Sequence, residues 1–491
     1  MVSNMVRKTL LFGFFYLFIQ SAWAQDTKRY LVYLKDKKSS SFTLQHPEKF
    51  LSNRAIQRRK NQQIAVTERD IPVSATYIAN IKAQGAKVWY TSRWFNAVAI
   101  EADAMTLAKV KKLSFVKEET EFLTARKTSS GTKQYKITEP DNSSKTSTPK
   151  TPNLSIEKPE DYGTSFNQSK MLGADEMHLA GFKGRGMIIA VLDAGFENGD
   201  KVPFLKHLFE DNRILGTYNF VENHDYVYGT GSHGLEVLST IAGYEKGKLI
   251  GTAPEASFYL FRTEDANSEF RVEEVNWLVA AERADSLGVD VINSSLGYTD
   301  FDDDNMNYSY KMMDGNTALV TRAADLAAAT GMLVVNSAGN EGGTAWQYIG
   351  APADADSVLS VGAVDKNGLY VGFSSTGPTS DERIKPNVVA QGSASVVGKP
   401  SGSIGINFGT SFSSPIMAGF ATSLWQANPT LTNIELLHVL QESGSIESKP
   451  DNLLGYGIPN FKKAQEIARK KASLKGKSKE KENAAGGKKD E

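Results

Sequence analysis

A chain of 491 residues, 40% of them apolar or aromatic, is long enough for one large core and a further small domain. Lys plus Arg equals Asp plus Glu at 56 each, so no net field recommends nucleic acid or an anionic membrane surface as a partner. Cysteine is absent, which excludes disulfides, a thiolate nucleophile and a thiolate metal site and leaves packing and bound ions to hold the fold.

Residues 1–24 have the form of a secretory signal: Arg7 and Lys8, the apolar run 10–19, then Ala22-Trp23-Ala24 as a small-x-small cleavage site. The run is too short to span a bilayer, so the expected destination is extracellular or periplasmic, with no stable membrane span once the signal is removed. From 25 to 120 short elements follow one another: a strand over 30–34, a basic helix over 50–59 and a helix over 75–83 stopped by Gly85. Strands over 87–90 and 97–101, a helix over 105–113 and a strand over 114–118 complete a small α+β unit. Its cluster Arg54, Arg58, Arg59 and Lys60 reads as a solvated helix face rather than a nucleic-acid patch, given the zero net charge. Residues 121–155 are rich in Ser, Thr, Lys and Pro, cannot fill a core, and read as a flexible linker open to proteolysis.

Between 156 and 468 strands and helices alternate. A strand over 187–193 ends on Asp193, and a helix opens at Ser232-His233-Gly234 and closes at Gly243. A strand over 257–262, a helix over 269–287, a strand over 289–293 and a helix over 318–329 come next. Strands over 332–337 and 357–364, a helix opening at Ser411 and a helix over 433–442 finish the unit. The alternation predicts an α/β fold, a doubly wound and mainly parallel sheet with helices on both faces. Reactive groups in such sheets gather at the C-terminal strand ends and the helix starts that follow. Residues 469–491 are Lys-, Glu-, Ser- and Gly-rich without an apolar face and read as a disordered tail.

Gly409-Thr410-Ser411-Phe412-Ser413-Ser414-Pro415 puts a serine at a helix start, where unpaired N–H groups and the positive dipole end favour developing negative charge. A single Ser before a helix is an ordinary cap, so its partners decide the reading. With the Asp193 and His233 stretches, in the order Asp, His, Ser, it resembles the signatures of the subtilisin-like serine proteases, the subtilase family, in their secreted form with an N-terminal propeptide. The resemblance implies Ser411 as nucleophile, His233 as general base and then acid, and Asp193 as the carboxylate that orients the imidazole.

The same resemblance implies Asn340, within Ser337-Ala338-Gly339-Asn340-Glu341-Gly342-Gly343, as a donor to the tetrahedral oxyanion beside the backbone N–H of Ser411. It marks Ser295, Leu296 and Gly297 as an edge on which an extended peptide pairs main chain to main chain. The 25–120 unit becomes a propeptide that inhibits its own enzyme and is removed by self-cleavage between about 122 and 161. Polypeptides are the expected substrates, with no cofactor needed for the chemistry. Structural calcium is compatible with the chain, but the acidic run 300–305 lacks a defined ligand spacing and reads as a solvated loop; no metal ligands are assigned. Ala351-Pro352 stands where the family often has a cis peptide, against the trans rule for X–Pro bonds.

Two departures stand out: Leu235 where threonine is usual two residues after the histidine, and Phe412-Ser413-Ser414 where small residues or methionine are common. Neither removes a reacting group. An α/β-hydrolase needs glycine where Ser413 stands and the order Ser, acid, His, so it fails. The alternative in another class is a catalytically silent binding protein on the same scaffold, which the reactivity of Ser411 separates from an enzyme.

Overall fold

The computed structural model describes residues 27–124, 148–152 and 154–486. The signal segment and most of the 121–155 stretch lie outside them. Strands buried on both faces need unbroken apolar runs, and such runs form the middle of a seven-stranded sheet. Its order across the sheet is Val388–Gln391, Val358–Val364, Leu333–Ser337, Val291–Ser294, Ile188–Asp193, Ser257–Arg262 and Ile214–Asn219, every neighbouring pair parallel. Alternate side chains feed two cores. Ile189, Val191, Val335 and Val361 pack with the helices Ser232–Ala242, Thr410–Ala427 and Asn433–Glu442. Ala190, Leu192, Ile292 and Val334 pack with Val272–Leu287 and Leu319–Ala329 on the opposite face. The doubly wound expectation holds, and all the strands leave their C-terminal ends along one edge.

The strand Ile214–Asn219 and the hairpin Ser395–Gly398 with Ile404–Asn407 have no counterpart in the sequence reading. Ile214–Asn219 closes the sheet as an edge strand, half-buried and interrupted by Gly216, so it carries no apolar run.

The N-terminal unit is an antiparallel four-stranded sheet, Lys87–Ser92, Ala97–Ala102, Lys28–Leu34 and Val116–Thr124 in spatial order. Its period-two pattern has two apolar faces. Val32, Leu34, Val88, Val98, Ile100 and Val116 pack on the unit's own helices, including Ala75–Ala83 and Ala104–Lys111. Leu31, Tyr33, Trp89, Ala97, Ala99 and Leu123 instead join the core around Val272–Leu287 and Leu319–Ala329. The basic helix, Asn53–Asn61, is not a solvated face as the composition suggested. Arg58 and Arg59 are buried and both bind Asp285 of the Val272–Leu287 helix, as does Arg93 at 2.6 Å. Glu282, one turn earlier, accepts Ser92 Oγ and the N–H groups of Arg93 and Trp94 at 2.5, 2.9 and 3.1 Å.

Two boundaries move. The strand Val116–Thr124 carries the N-terminal unit past residue 120, because its backbone pairs with Lys28–Leu34. The 148–155 end of the supposed linker already belongs to the main domain: Lys150 N–H donates to Asp211 O at 2.9 Å, and Pro152 is buried. Lys183 Nζ reaches Leu154 O at 2.8 Å. The tail also differs, since one helix runs Phe461–Gly486 where disorder was expected from 469. Ala464 and Ala468 dock in the main core, Lys471 pairs with Glu442 at 2.9 Å, and the Leu, Lys, Ala and Glu that follow are strong helix formers able to propagate a helix already nucleated. Among the described residues no helix is long and apolar enough to cross a membrane.

Candidate active site

Asp193 ends the central strand Ile188–Asp193 and is wholly buried. His233 opens the next helix but one, and Gly234 lets that helix approach: a Cβ there would lie 2.4 Å from Gly195 O and 2.9 Å from Asp193 Cβ. His233 Nδ1 consequently sits 2.8 Å from Asp193 Oδ1, which also accepts the Ala194 N–H at 2.7 Å. An ionised carboxylate only accepts, so Nδ1 carries the proton and Nε2 keeps a lone pair. Burial pulls the His233 pKa down, but the charge and hydrogen bond of Asp193, with Glu236 behind, outweigh it and leave the pKa above its ordinary value. Leu235, the departure noted in the sequence, points into the core and leaves this pairing intact.

Ser411 is the second residue of Thr410–Ala427. The turn before it needs glycine, since Gly409 has φ +140°. Pro415 lies inside the helix, and having no N–H it cannot bond Ser411 O four residues back. Ser295 Oγ donates to that carbonyl instead, at 3.0 Å. Ser295, read from the sequence as part of the substrate edge, also ties that edge through its hydroxyl to the start of the serine helix. Phe412 stacks at a tilt 5.8 Å from the His233 ring, which brings the Ser411 turn against the imidazole.

Asn340 lies beside this turn. Its Oδ1 accepts the Thr410 N–H at 2.8 Å and faces Thr410 Oγ1 at 3.1 Å, and Thr410 Oγ1 also lies 3.1 Å from Gly339 O. The carbonyl side of the amide is thereby occupied, while among the described residues Nδ2 has no acceptor. The Ser411 N–H, in the first turn of its helix, has no intrahelical acceptor either. Thr410 was not singled out in the sequence, although a hydroxyl one residue before Ser411 was there to be read. Across the cleft Leu296 O accepts Asn336 Nδ2 at 2.9 Å, Gly297 is exposed, and Tyr298 pairs with Ala351 in both directions. The Ala351-Pro352 bond is cis, as the resemblance and not the base rate suggested.

A buried Asp paired with a half-exposed His beside a serine at a helix start, over the C-terminal edge of a doubly wound sheet, is the frame of a serine hydrolase. Sequence comparison narrows the class. The subtilase family model matches residues 184–457, and the Bacteroidota propeptide domain of the same peptidase class, S8, matches residues 29–139. The chain belongs to the subtilase family, with a propeptide before the catalytic domain. It is 30% identical over 276 residues to subtilisin E of Bacillus subtilis (strain 168), covering 55% of this chain and 64%, under two thirds, of that protein. Against subtilisin DY of Bacillus licheniformis identity is 30% over 277 residues, 56% of this chain and 89% of that protein. Against subtilisin Savinase of Lederbergia lenta it is 27% over 292 residues, 59% of this chain and 95% of the other.

Proposed function

We propose that this protein is an exported serine endopeptidase, made as a zymogen, that hydrolyses polypeptides through an acyl-enzyme. The observation that carries the reading is the Asp193–His233 hydrogen bond in a subtilase frame with Ser411 at the adjacent helix start. His233 Nε2 takes the Ser411 proton as Oγ attacks the scissile carbonyl, and Asp193 stabilises the imidazolium that forms. The oxyanion that develops is bound by Asn340 Nδ2 and the Ser411 N–H. His233 then returns its proton to the leaving amine, and water repeats the sequence on the acyl ester. The 295–297 edge holds the substrate backbone, so recognition favours extended polypeptide over small esters. This chemistry requires no cofactor and no nucleic acid. The form of residues 1–24 supports export to the periplasm or the exterior.

The N-terminal unit acts as intramolecular inhibitor. Its last strand is part of the propeptide sheet to Thr124, and from Lys150 the chain is bonded to the catalytic domain, which supports a maturation cut between 125 and 149. Expressed without its signal in a protease-deficient host, wild type should yield a fragment beginning in that interval, and Ser411→Ala should stay full length. Identical processing of both proteins would overturn self-cleavage. An uncut wild type that hydrolyses no polypeptide, even after an added protease removes the propeptide, would favour the silent binding scaffold.

A further inference from the structure

Directly behind the 295–297 edge stands a second set of carboxylates outside the Asp-His pair. Glu264 follows the strand Ser257–Arg262, Glu269 lies in the connection, and Glu273 is in the first turn of Val272–Leu287. Each offers one oxygen, and the three oxygens lie within 4.8 Å of one another. Glu273 is fixed by capping its own helix start, accepting from Asp265 N at 2.7 Å and Phe270 N at 2.9 Å. Glu264 Oε2 accepts the Tyr298 hydroxyl at 2.8 Å, and Tyr298 continues the substrate edge.

Among the described residues no Lys or Arg is ion-paired with any of the three; Arg262 pairs with Glu222 and Asp265. The guanidiniums of the flanking chain are engaged elsewhere, Arg262 on Ala194 O and Arg271 on Met306 O. Two further oxygens point to an occupant. Glu264 is more than nine-tenths buried, yet its Oε1 has no hydrogen-bond partner. Thr263 is completely buried beside it, and its Oγ1 faces the Glu264 carboxyl without a well-formed hydrogen bond. A hard cation satisfies these oxygens.

We propose that Glu264, Glu269 and Glu273, with Thr263 Oγ1, form a calcium site that braces Tyr298 and the substrate edge from behind. The all-oxygen donor set selects a hard ion over zinc or copper. Calcium bonds of about 2.3–2.6 Å allow oxygens on one ion to stand up to roughly 5 Å apart, whereas magnesium at about 2.0–2.1 Å limits them to roughly 4.2 Å. The three oxygens, all within 4.8 Å of one another, fall inside the calcium limit. The acidic run 300–305 abuts the site, Asp302 N–H donating to Glu269 O at 2.9 Å, but its Asp303 Oδ1 is taken up by the N–H and Nδ2 of Asn305 at 3.1 and 2.8 Å.

The test uses the full chain carrying Ser411→Ala, so that its result is independent of whether the protein is a protease. After chelation, calorimetric titration with calcium should give one ion per chain, and terbium should replace it with luminescence sensitised by Tyr298. Glu269→Gln should weaken calcium binding at least tenfold, Tyr298→Phe should dim terbium without abolishing calcium binding, and Asp303→Asn should change neither. In chelator Glu269→Gln should melt no lower than its parent, yet gain less from added calcium, which separates a lost site from a lost fold. Absence of calcium binding at millimolar concentration, or unchanged affinity in both Glu269→Gln and Glu264→Gln, would overturn the proposal. So would a protein that binds no calcium but loses affinity for peptides with basic side chains in Glu269→Gln, since the cluster would then be a substrate pocket.

Discussion

Two aspartates of this protein are both wholly buried and both paired, yet the two pairs are suited to different work. Asp193 faces one imidazole, whose side chain stays 38% exposed to the cleft and which can gain and lose a proton. Asp285, on the propeptide-facing side, is surrounded by Arg58, Arg59 and Arg93, which never release theirs. Burial alone would raise the Asp285 pKa, but the three guanidiniums hold it well below the ordinary carboxylate range. A buried carboxylate can serve proton transfer when its partner titrates and reaches an open cleft. Against fixed cations it fastens two units together.

Replacing each aspartate by asparagine should break the comparison in opposite ways. Asp193→Asn keeps the shape but lets the wrong imidazole tautomer form, so turnover on a polypeptide should fall about ten-thousandfold with little change in melting temperature. A loss of less than tenfold would detach Asp193 from the chemistry. Asp285→Asn, in a Ser411→Ala chain that does not cut itself, leaves three guanidiniums buried without their counter-charge and should cost about 3–5 kcal/mol in denaturant unfolding. Unchanged stability would mean that the apolar face of the propeptide sheet alone holds the two units together.

Asn340→Ala should lower turnover about a hundred- to a thousandfold while the Michaelis constant barely moves, because in the proposed mechanism its amide binds the oxyanion in the transition state. An effect confined to the Michaelis constant would remove Asn340 from that role. The gentlest comparison is pH. The raised His233 pKa means that kcat/KM falls as pH drops through a value above about 6.5, while the Asp193 ion pair contributes stability below 6.5 and loses it as pH rises through the raised value. Asp285 behaves inversely: its contribution is present above about 3.9 and is lost only as pH falls through its depressed pKa. Between pH 5 and 8 the activity of propeptide-free enzyme should therefore change steeply, while cleaved propeptide added back co-elutes with the catalytic domain throughout. Parallel loss of both would show that the interface depends on a group other than Asp285.

The active-site end was legible because each of its parts is local. Residues 257–262 and 433–442 form the expected strand and helix, and the Asp193, His233 and Ser411 stretches each end or begin an element where the pattern put them. The interface was illegible because its meaning is tertiary. Arg58 and Arg59 look like surface residues until Asp285, more than two hundred positions later, is folded against them. The second face of the propeptide sheet has the same cause: Tyr33 and Trp89 alternate like any half-exposed strand and are buried only by another domain. Ser295 joins them, because the carbonyl it satisfies is orphaned by Pro415, far along the chain.

The central claim, that Ser411 is a nucleophile activated by His233 and Asp193, is tested most directly by covalent labelling. After an added protease has removed the propeptide, a fluorophosphonate probe should modify the protein at one residue, identified by peptide mass spectrometry as Ser411. The labelling rate should collapse in His233→Ala and in Asp193→Asn. No modification of the folded protein, modification at another residue, or equal labelling of Ser411 in wild type and His233→Ala would contradict the account.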